Sequence, residues 1–419
     1  MQISLASPIR KQIVALTAGV LVLAYLGLAS TRFLADWFGD RLDLTSLQRA
    51  VRLDPGNADF RNHLGRYFAL VLREPAAAIE PYEAAVRLNP HSARYWFDLA
   101  SAYQVLADPQ NQTAALERAI EADPTTPDVA WEAANLYVVR GETDKALKEF
   151  RVVLANDPSL ADVAMRFCYR IRPDVATLLR DVVPAESSAY IALLNLLASK
   201  QDNAGAALVW DGLVRSNQTF DRRFASEYFQ YLIRHQEVDQ ASLVWRQAAN
   251  RFGLNPYLPS SANLMVNGNF NLDVLNDGLD WHYQKQAGVK LTLDNSDFHA
   301  GRRSLSITFD GPGISDAGIY QIVPVQPNTA YEFSAYYKAG EMEGAGGPHF
   351  AVQDMYHPAT VYYDSDELKD VGFWKLASGD FTTAPDCKLL VVHVRRLPEG
   401  SPIRGNLWIG DFHLKKKEQ

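Results

Sequence analysis

The chain has 419 residues, 47% hydrophobic and 21% charged, with a formal net charge of −8. That length suits two to three domains, and that balance excludes a disordered chain. The acidic excess, with no basic stripe to release counterions from phosphates, excludes nucleic acid as the expected partner. Cys168 and Cys387, 219 residues apart and without metal-ligand spacing, read as two free thiols.

In chain order, the first element is apolar. Arg10 and Lys11 precede an uncharged run from Gln12 to Thr31, which as a helix spans about 30 Å, the thickness of a hydrocarbon core. Residues 12–34 are expected to be a transmembrane anchor. Residues 1–11 then form a cytoplasmic N-terminus by the positive-inside rule, and everything after Asp40 lies outside the cytoplasmic membrane. The competing reading is a cleaved signal peptide, for which Gly27-Leu28-Ala29 offers a small-x-small site. Against it, the run is longer than a signal core and continues into the amphipathic stretch Phe33–Phe38.

From Arg41 onward a period governs the sequence. Pro55, Pro90, Pro124 and Pro158 are separated by 35, 34 and 34 residues, and each follows Asp or Asn. Before them, Leu47 and Ala50, then Ala78, Tyr82 and Ala85, then Leu116 and Ala119, then Ala146, Phe150 and Val153 repeat at helical spacing. Such spacing gives one apolar stripe per unit, with small residues where helices approach. Trp96, Leu99, Ala100, Tyr103, Ala119 and Pro124 resemble the tetratricopeptide repeat, matching its large, small and proline positions. Units two to four match well; the first shows only its second helix. Ser159–Val183 reads as a shortened hairpin, and Ala206, Trp210 and Leu213 are echoed by Ala241, Trp245 and Ala248. Residues 41–252 are thus expected to form a helical solenoid. The resemblance implies a protein partner on the concave face, with Asn62, Arg66, Phe97, Ser101, Gln104 and Asn135 as candidates.

A Pro- and Ser-bearing linker, residues 253–261, ends the helical pattern. Alternating segments such as Tyr331–Lys338 and Leu389–Arg395 then predict a β-sandwich over residues 262–417. Asn263–Phe270, Tyr320–Val325 followed by Pro327–Tyr331, and Leu407–Phe412 resemble the galactose-binding-like jelly rolls of carbohydrate-binding modules. The fold class is therefore multidomain: one transmembrane helix, an all-α tetratricopeptide-like solenoid and an all-β jelly roll.

The resemblance implies a sugar cleft and a structural calcium. Strand parity places Tyr336, His393 and Arg395 on polar faces, and with Gln353 and a rim Tyr356 they are the candidate carbohydrate-binding residues. Trp281, Trp374 and Trp408 read as core. For calcium, Asp411 matches the closing acidic position, but Asn271 stands where a carboxylate commonly follows the phenylalanine. No other cofactor is implied. His282, His299, His349, His357, His393 and His413 are scattered through the β-region without close metal-ligand spacing. No nucleophile elbow or phosphate-binding glycine loop occurs. The sequence thus points to a non-catalytic scaffold of a bacterial envelope, holding a protein partner and polysaccharide, with a role in exopolysaccharide assembly or export. The alternatives are a glycan-modifying enzyme with activity in the β-domain, and a structural subunit that binds no sugar.

Overall fold

The computed structural model describes residues 8–41, 43–369 and 372–417. The chain divides into two compact units, Met1–Gln218 and Thr219–Gln419.

The first unit is helical. α1 (Pro8–Gly39) leads into α2 (Leu44–Leu53), α3 (Ala58–Arg66), α4 (Pro75–Leu88), α5 (Ala93–Val105), α6 (Pro109–Ala122), α7 (Pro127–Val139) and α8 (Thr143–Asn156), which pack in successive pairs, α1 with α2, α3 with α4, α5 with α6 and α7 with α8. The recurrent Asp/Asn–Pro pair explains their punctuation. Asp54, Asn89, Asp123 and Asp157 each close a helix, with the backbone N–H bonded to the carbonyl four residues back. The following proline cannot continue the helical bonding. Asp123 also accepts from the Thr125 and Thr126 hydroxyls, which hold its carboxyl at about 2. The small and large stripe residues pack as their spacing requires: Ala50, Ala78, Ala85, Ala119 and Ala146 are fully buried, as is Phe150. The shortened hairpin is α9 (Ala161–Ile171) against α10 (Val175–Thr177), which runs on as a π-helical turn over Leu178–Val182. α11 (Ser187–Ser199) and α12 (Asn203–Ser216) complete the unit.

One expectation changes here. The first repeat does have its first helix: it is the end of α1. Ala35 is fully buried, Phe38 joins the cluster of Leu47, Ala50, Phe60 and Leu64, and Gly39 lies so close to Phe60 that a Cβ would meet its ring at 2.3 Å. The stretch Lys11–Gly39, whose most apolar 18-residue window has a mean hydropathy of 2.2, is long and apolar enough to cross a membrane and lies in the same unbroken helix.

The second unit joins a helical pair to a sandwich. α13 (Arg222–Arg234) and α14 (Val238–Phe252) precede ten strands: β1 (Trp281–Tyr283), β2 (Val289–Asp294), β3 (Ser304–Asp310), β4 (Asp316–Pro324), β5 (Ala330–Gly344), β6 (Gly347–Asp354), β7 (Val361–Asp364), β8 (Lys375–Thr382), β9 (Leu389–Leu397) and β10 (Ile403–Lys416). They form two antiparallel sheets, ordered β1-β4-β9-β6-β7 and β2-β3-β10-β5-β8. Between the sheets lie Phe333, Phe350, Leu407, Ile409 and Phe412, all essentially inaccessible, with Trp281 beside Phe270. Lys415 and Lys416 belong to the end of β10 rather than to a free tail.

The segment between α14 and the sandwich is bonded at both ends. Trp245 donates its indole N–H to the Tyr257 carbonyl, and the Tyr257 hydroxyl donates to the Asp273 carbonyl. Ser226 of α13 donates to Asp277 at 2.5 Å, and a Cβ on Gly278 would meet the Trp245 ring at 2.3 Å. Cys168 and Cys387 are both buried and free.

Candidate functional site

Alternation along β9 buries Leu390, Val392 and Val394 and turns Val391, His393 and Arg395 to the outer face of the first sheet. Register builds the face from there. Tyr320 of β4 stands opposite His393, His393 opposite Ala351 of β6, and Ala351 opposite Asp364 of β7. Arg395 stands opposite His349. Ala351, the smallest side chain in its row, marks a shallow trough between His393 and Asp364 whose floor is fully covered by the flanking side chains.

The polar groups of this trough are held in fixed directions. His393 Nδ1 lies 2.5 Å from Asp316, Arg395 is ion-paired with Asp364, and His349 Nδ1 lies 2.6 Å from the Ser365 carbonyl. The short contact to Asp316 fixes the direction of the His393 ring. Its Nε2 and the Arg395 Nε are buried and have no hydrogen-bond partner in the protein. Tyr320 is backed by His282, whose ring stacks on it at 5.2 Å and whose basicity burial lowers. The row thus sets an imidazole, a guanidinium and a tyrosine ring side by side, with the two unpartnered nitrogens covered by their neighbours.

The other end of this outer face is covered. Ile322 shares the parity of Tyr320 yet is only 4% exposed, and α14 packs on β4. Lys388 pairs with Asp239 of α14 at 3.2 Å.

Three of the five carbohydrate candidates, Gln353, His393 and Arg395, share the first sheet's outer face. Tyr356 follows β6 and donates its hydroxyl to the Ile233 carbonyl of α13 at 2.7 Å, so it serves the contact with the helical pair. Tyr336 is not with them: β5 belongs to the second sheet, whose outer face points the opposite way. A single cleft containing Tyr336, His393 and Arg395 does not form. Trp281 is core, but Trp374 and Trp408 are half-buried on the second sheet's outer side, their indoles bonded to Asp297 and Asp294. Tyr320 and His349 were reachable by parity; Asp316 and Asp364, at strand ends, carried no sequence signal.

The calcium expectation meets a filled donor set. Asp411 lies between His299 Nδ1 at 3.1 Å and His413 Nε2 at 3.2 Å. Arg303 donates to the carbonyls of Phe270 and Asn271 and to the Asp273 carboxylate. A guanidinium thus occupies the oxygens that a hard cation would need, and these residues do not fit calcium. Among the described residues no group of three or more His, Cys, Asp or Glu side chains is arranged to hold a metal.

In the helical unit, Asn62 is buried and donates to Asp98, which also pairs with Arg66 at 3.5 Å. Ser101 and Asn135 bond within their own helices, to the Phe97 and Trp131 carbonyls. Phe97 packs partly against the core and Gln104 is exposed. Arg66 also lines a cavity of about 450 Å³ with His63, Arg94, Leu70 and Val71, the last two 65% and 60% exposed. Sequence reasoning named Arg66 alone among these.

Antiparallel helix pairs at a 34-residue period, followed by a two-sheet antiparallel jelly roll, define the class: tetratricopeptide repeats joined to a carbohydrate-binding-type sandwich. Comparison with known families agrees. Residues 262–398 match the family described as carbohydrate binding domain, and residues 44–93, 69–106 and 113–161 match the tetratricopeptide repeat. The chain is similar to interferon-induced protein with tetratricopeptide repeats 2 of Mus musculus, 31% identical over 128 residues; these are 29% of this chain and 27% of that protein. It is also similar to the crystal structure of MamA, at 21% identity and a TM-score of 0.24, covering 41% of this chain and 85% of that one. A CBM4 structure aligns at 17% identity and a TM-score of 0.28, covering 36% of this chain and 98% of that one.

Proposed function

We propose that this chain is a non-catalytic, membrane-anchored scaffold whose repeats hold a protein partner and whose jelly roll binds polysaccharide in the trough of the first sheet. The reading is carried by His393 and Arg395 beside the Tyr320 ring: His393 Nε2 and Arg395 Nε lack partners but are covered, so a bound hydroxyl reaches them only as the flanking side chains turn aside. Buried polar groups are nearly always satisfied, and sugar hydroxyls satisfy both a donor and an acceptor. For the protein partner, the cavity that Leu70 and Val71 line with His63, Arg94, Asp40 and the Asp98-paired Arg66 suits a segment with an apolar residue flanked by polar ones. Exopolysaccharide assembly or export in a bacterial envelope is the setting that joins these parts.

The test is calorimetric titration of the full chain, in detergent micelles, with cello-, xylo-, manno- and laminari-hexaose. At least one is expected to bind, with affinity reduced about tenfold or more in His393→Ala and Arg395→Ala, because each change removes a directed hydrogen bond. Binding unchanged in both variants would remove the trough from the reading. The second reading, glycan modification, draws on the Asp316–His393 pair, which could act as a base. New reducing ends appearing in the same mixtures, and lost in Asp316→Asn, would favour it.

A further inference from the structure

The outer face of the second sheet has a different construction. Parity turns Tyr336 and Lys338 of β5, Asn406 and Trp408 of β10, and Thr308 of β3 to this side. The Trp408 ring lies over Gly340, where a Cβ would approach it at 3.3 Å, and its indole N–H donates to Asp294 at 2.9 Å. The ring is thus half-buried along the sheet surface, with the Lys338 ammonium over it. The Trp374 indole donates to one Asp297 oxygen at 3.1 Å, and Lys338 donates to the other at 2.5 Å. Lys338 in turn lies 5.6 Å from the Trp408 ring centre. The His299 ring stacks on Tyr336 at 3.5 Å and stands 6.0 Å from Trp374. Tyr336, His299, Trp374 and Trp408 thus form one aromatic ridge, bridged by Asp297 and Lys338. Since Trp408 faces Lys338 and Gly410 faces Tyr336, the ridge runs about 8 Å diagonally between neighbouring strands.

We propose that this ridge is a second polysaccharide-binding surface, back to back with the trough; the proposal rests on the carbohydrate reading of the module but not on the trough itself. The occupant follows from the chemistry. Both indoles are fixed by charge-assisted bonds, so stacking on them costs little ordering. Polar groups flank the rings: Thr308 donates to the Asn406 side-chain carbonyl oxygen at 2.9 Å, and the Asn406 amide N–H groups have no bond among the described residues. A second copy or a lipid surface needs continuous apolar area, whereas a sugar needs ring faces alternating with hydrogen-bond donors. Lys338 is paired with Asp297 and His299 with Asp411, so the face complements an uncharged glycan rather than an acidic one.

The same hexaose titrations decide this, with stoichiometry and tryptophan fluorescence as readouts. The wild-type chain is expected to bind two equivalents. Trp408→Ala and Trp374→Ala are expected to bind one, without the fluorescence change, and Trp408→Phe to keep the second site at reduced affinity. His393→Ala should retain the ridge site. Circular dichroism melts of each variant separate loss of ligand from loss of fold. One equivalent, abolished by His393→Ala and untouched by either tryptophan variant, overturns the ridge and leaves the trough standing; loss confined to the tryptophan variants does the reverse. Concentration-dependent dimerisation abolished by Trp408→Ala, with no hexaose bound at the ridge, assigns the face to a second copy and overturns the proposal.

Discussion

At the residue scale, Asp280 is the group most at odds with its surroundings. It is fully buried beside Trp281; one carboxylate oxygen accepts from the Leu275 N–H at 2.7 Å and the other has no partner. Burial pushes its carboxyl up to about 6. The folded state therefore holds the proton more tightly than the unfolded chain, and this group's stabilising contribution falls as pH rises from about 4 to about 6. Asp280→Asn is expected to melt higher than the parent at pH 7.5, by about 1–2 kcal/mol of stability, and to match it below pH 4. Thermal melts across that range read it directly. A constant difference at every pH would mean that the carboxyl does not titrate in the folded protein. The same residue shows what patterning leaves unread: parity sorted Tyr331, Phe333, Ala335 and Tyr337 to the core correctly, but it carries no information on which polar atom will lack a partner. Trp374 and Trp408 were read as core because large aromatics usually are; their indoles instead meet carboxylates at the end of β2 and in the loop after it, contacts set by long-range folding.

At the element scale, helix spacing and the Asp/Asn–Pro punctuation made the repeats legible, since each signal is local. Strand alternation likewise gave the sandwich. Which sheet a strand joins is non-local, and that is why Tyr336 and His393 were placed together in the sequence and lie apart in the fold. The pairing of α13 and α14 with the sandwich was equally hidden, although Trp245 was recognised as a repeat position. Its ring rests on the turn at Gly278, whose φ of +61° already favours glycine. Gly278→Ala is expected to cost about 2–3 kcal/mol through backbone strain and displacement of that indole. Urea unfolding followed by tryptophan fluorescence should show the earlier transition; coincident curves for variant and parent would show that α14 is not seated on this turn.

At the scale of the whole molecule, the apolar segment and the first repeat share α1. A chain beginning at Ser30 keeps Ala35, Phe38 and Gly39 against Leu47, Phe60 and Leu64, whereas one beginning at Asp43 strips that cover from the cluster. The longer truncation is therefore expected to melt lower and aggregate, the shorter one to fold like the parent. Only the full chain should stay in the membrane pellet after alkaline carbonate extraction; release of the full chain into the supernatant would remove the anchor from the proposal.

An unbroken helix has no swivel. If residues 12–34 sit in a bilayer, the first repeat is a rigid extension of the buried rod, and its inclination is fixed by the inclination of the span. A load applied to the repeats then reaches the lipid as a bending moment rather than being absorbed by a slack tether. The bilayer becomes the reference frame against which the cavity beside Gly39 and Asp40 is aimed. Thickening or thinning that bilayer would re-aim it.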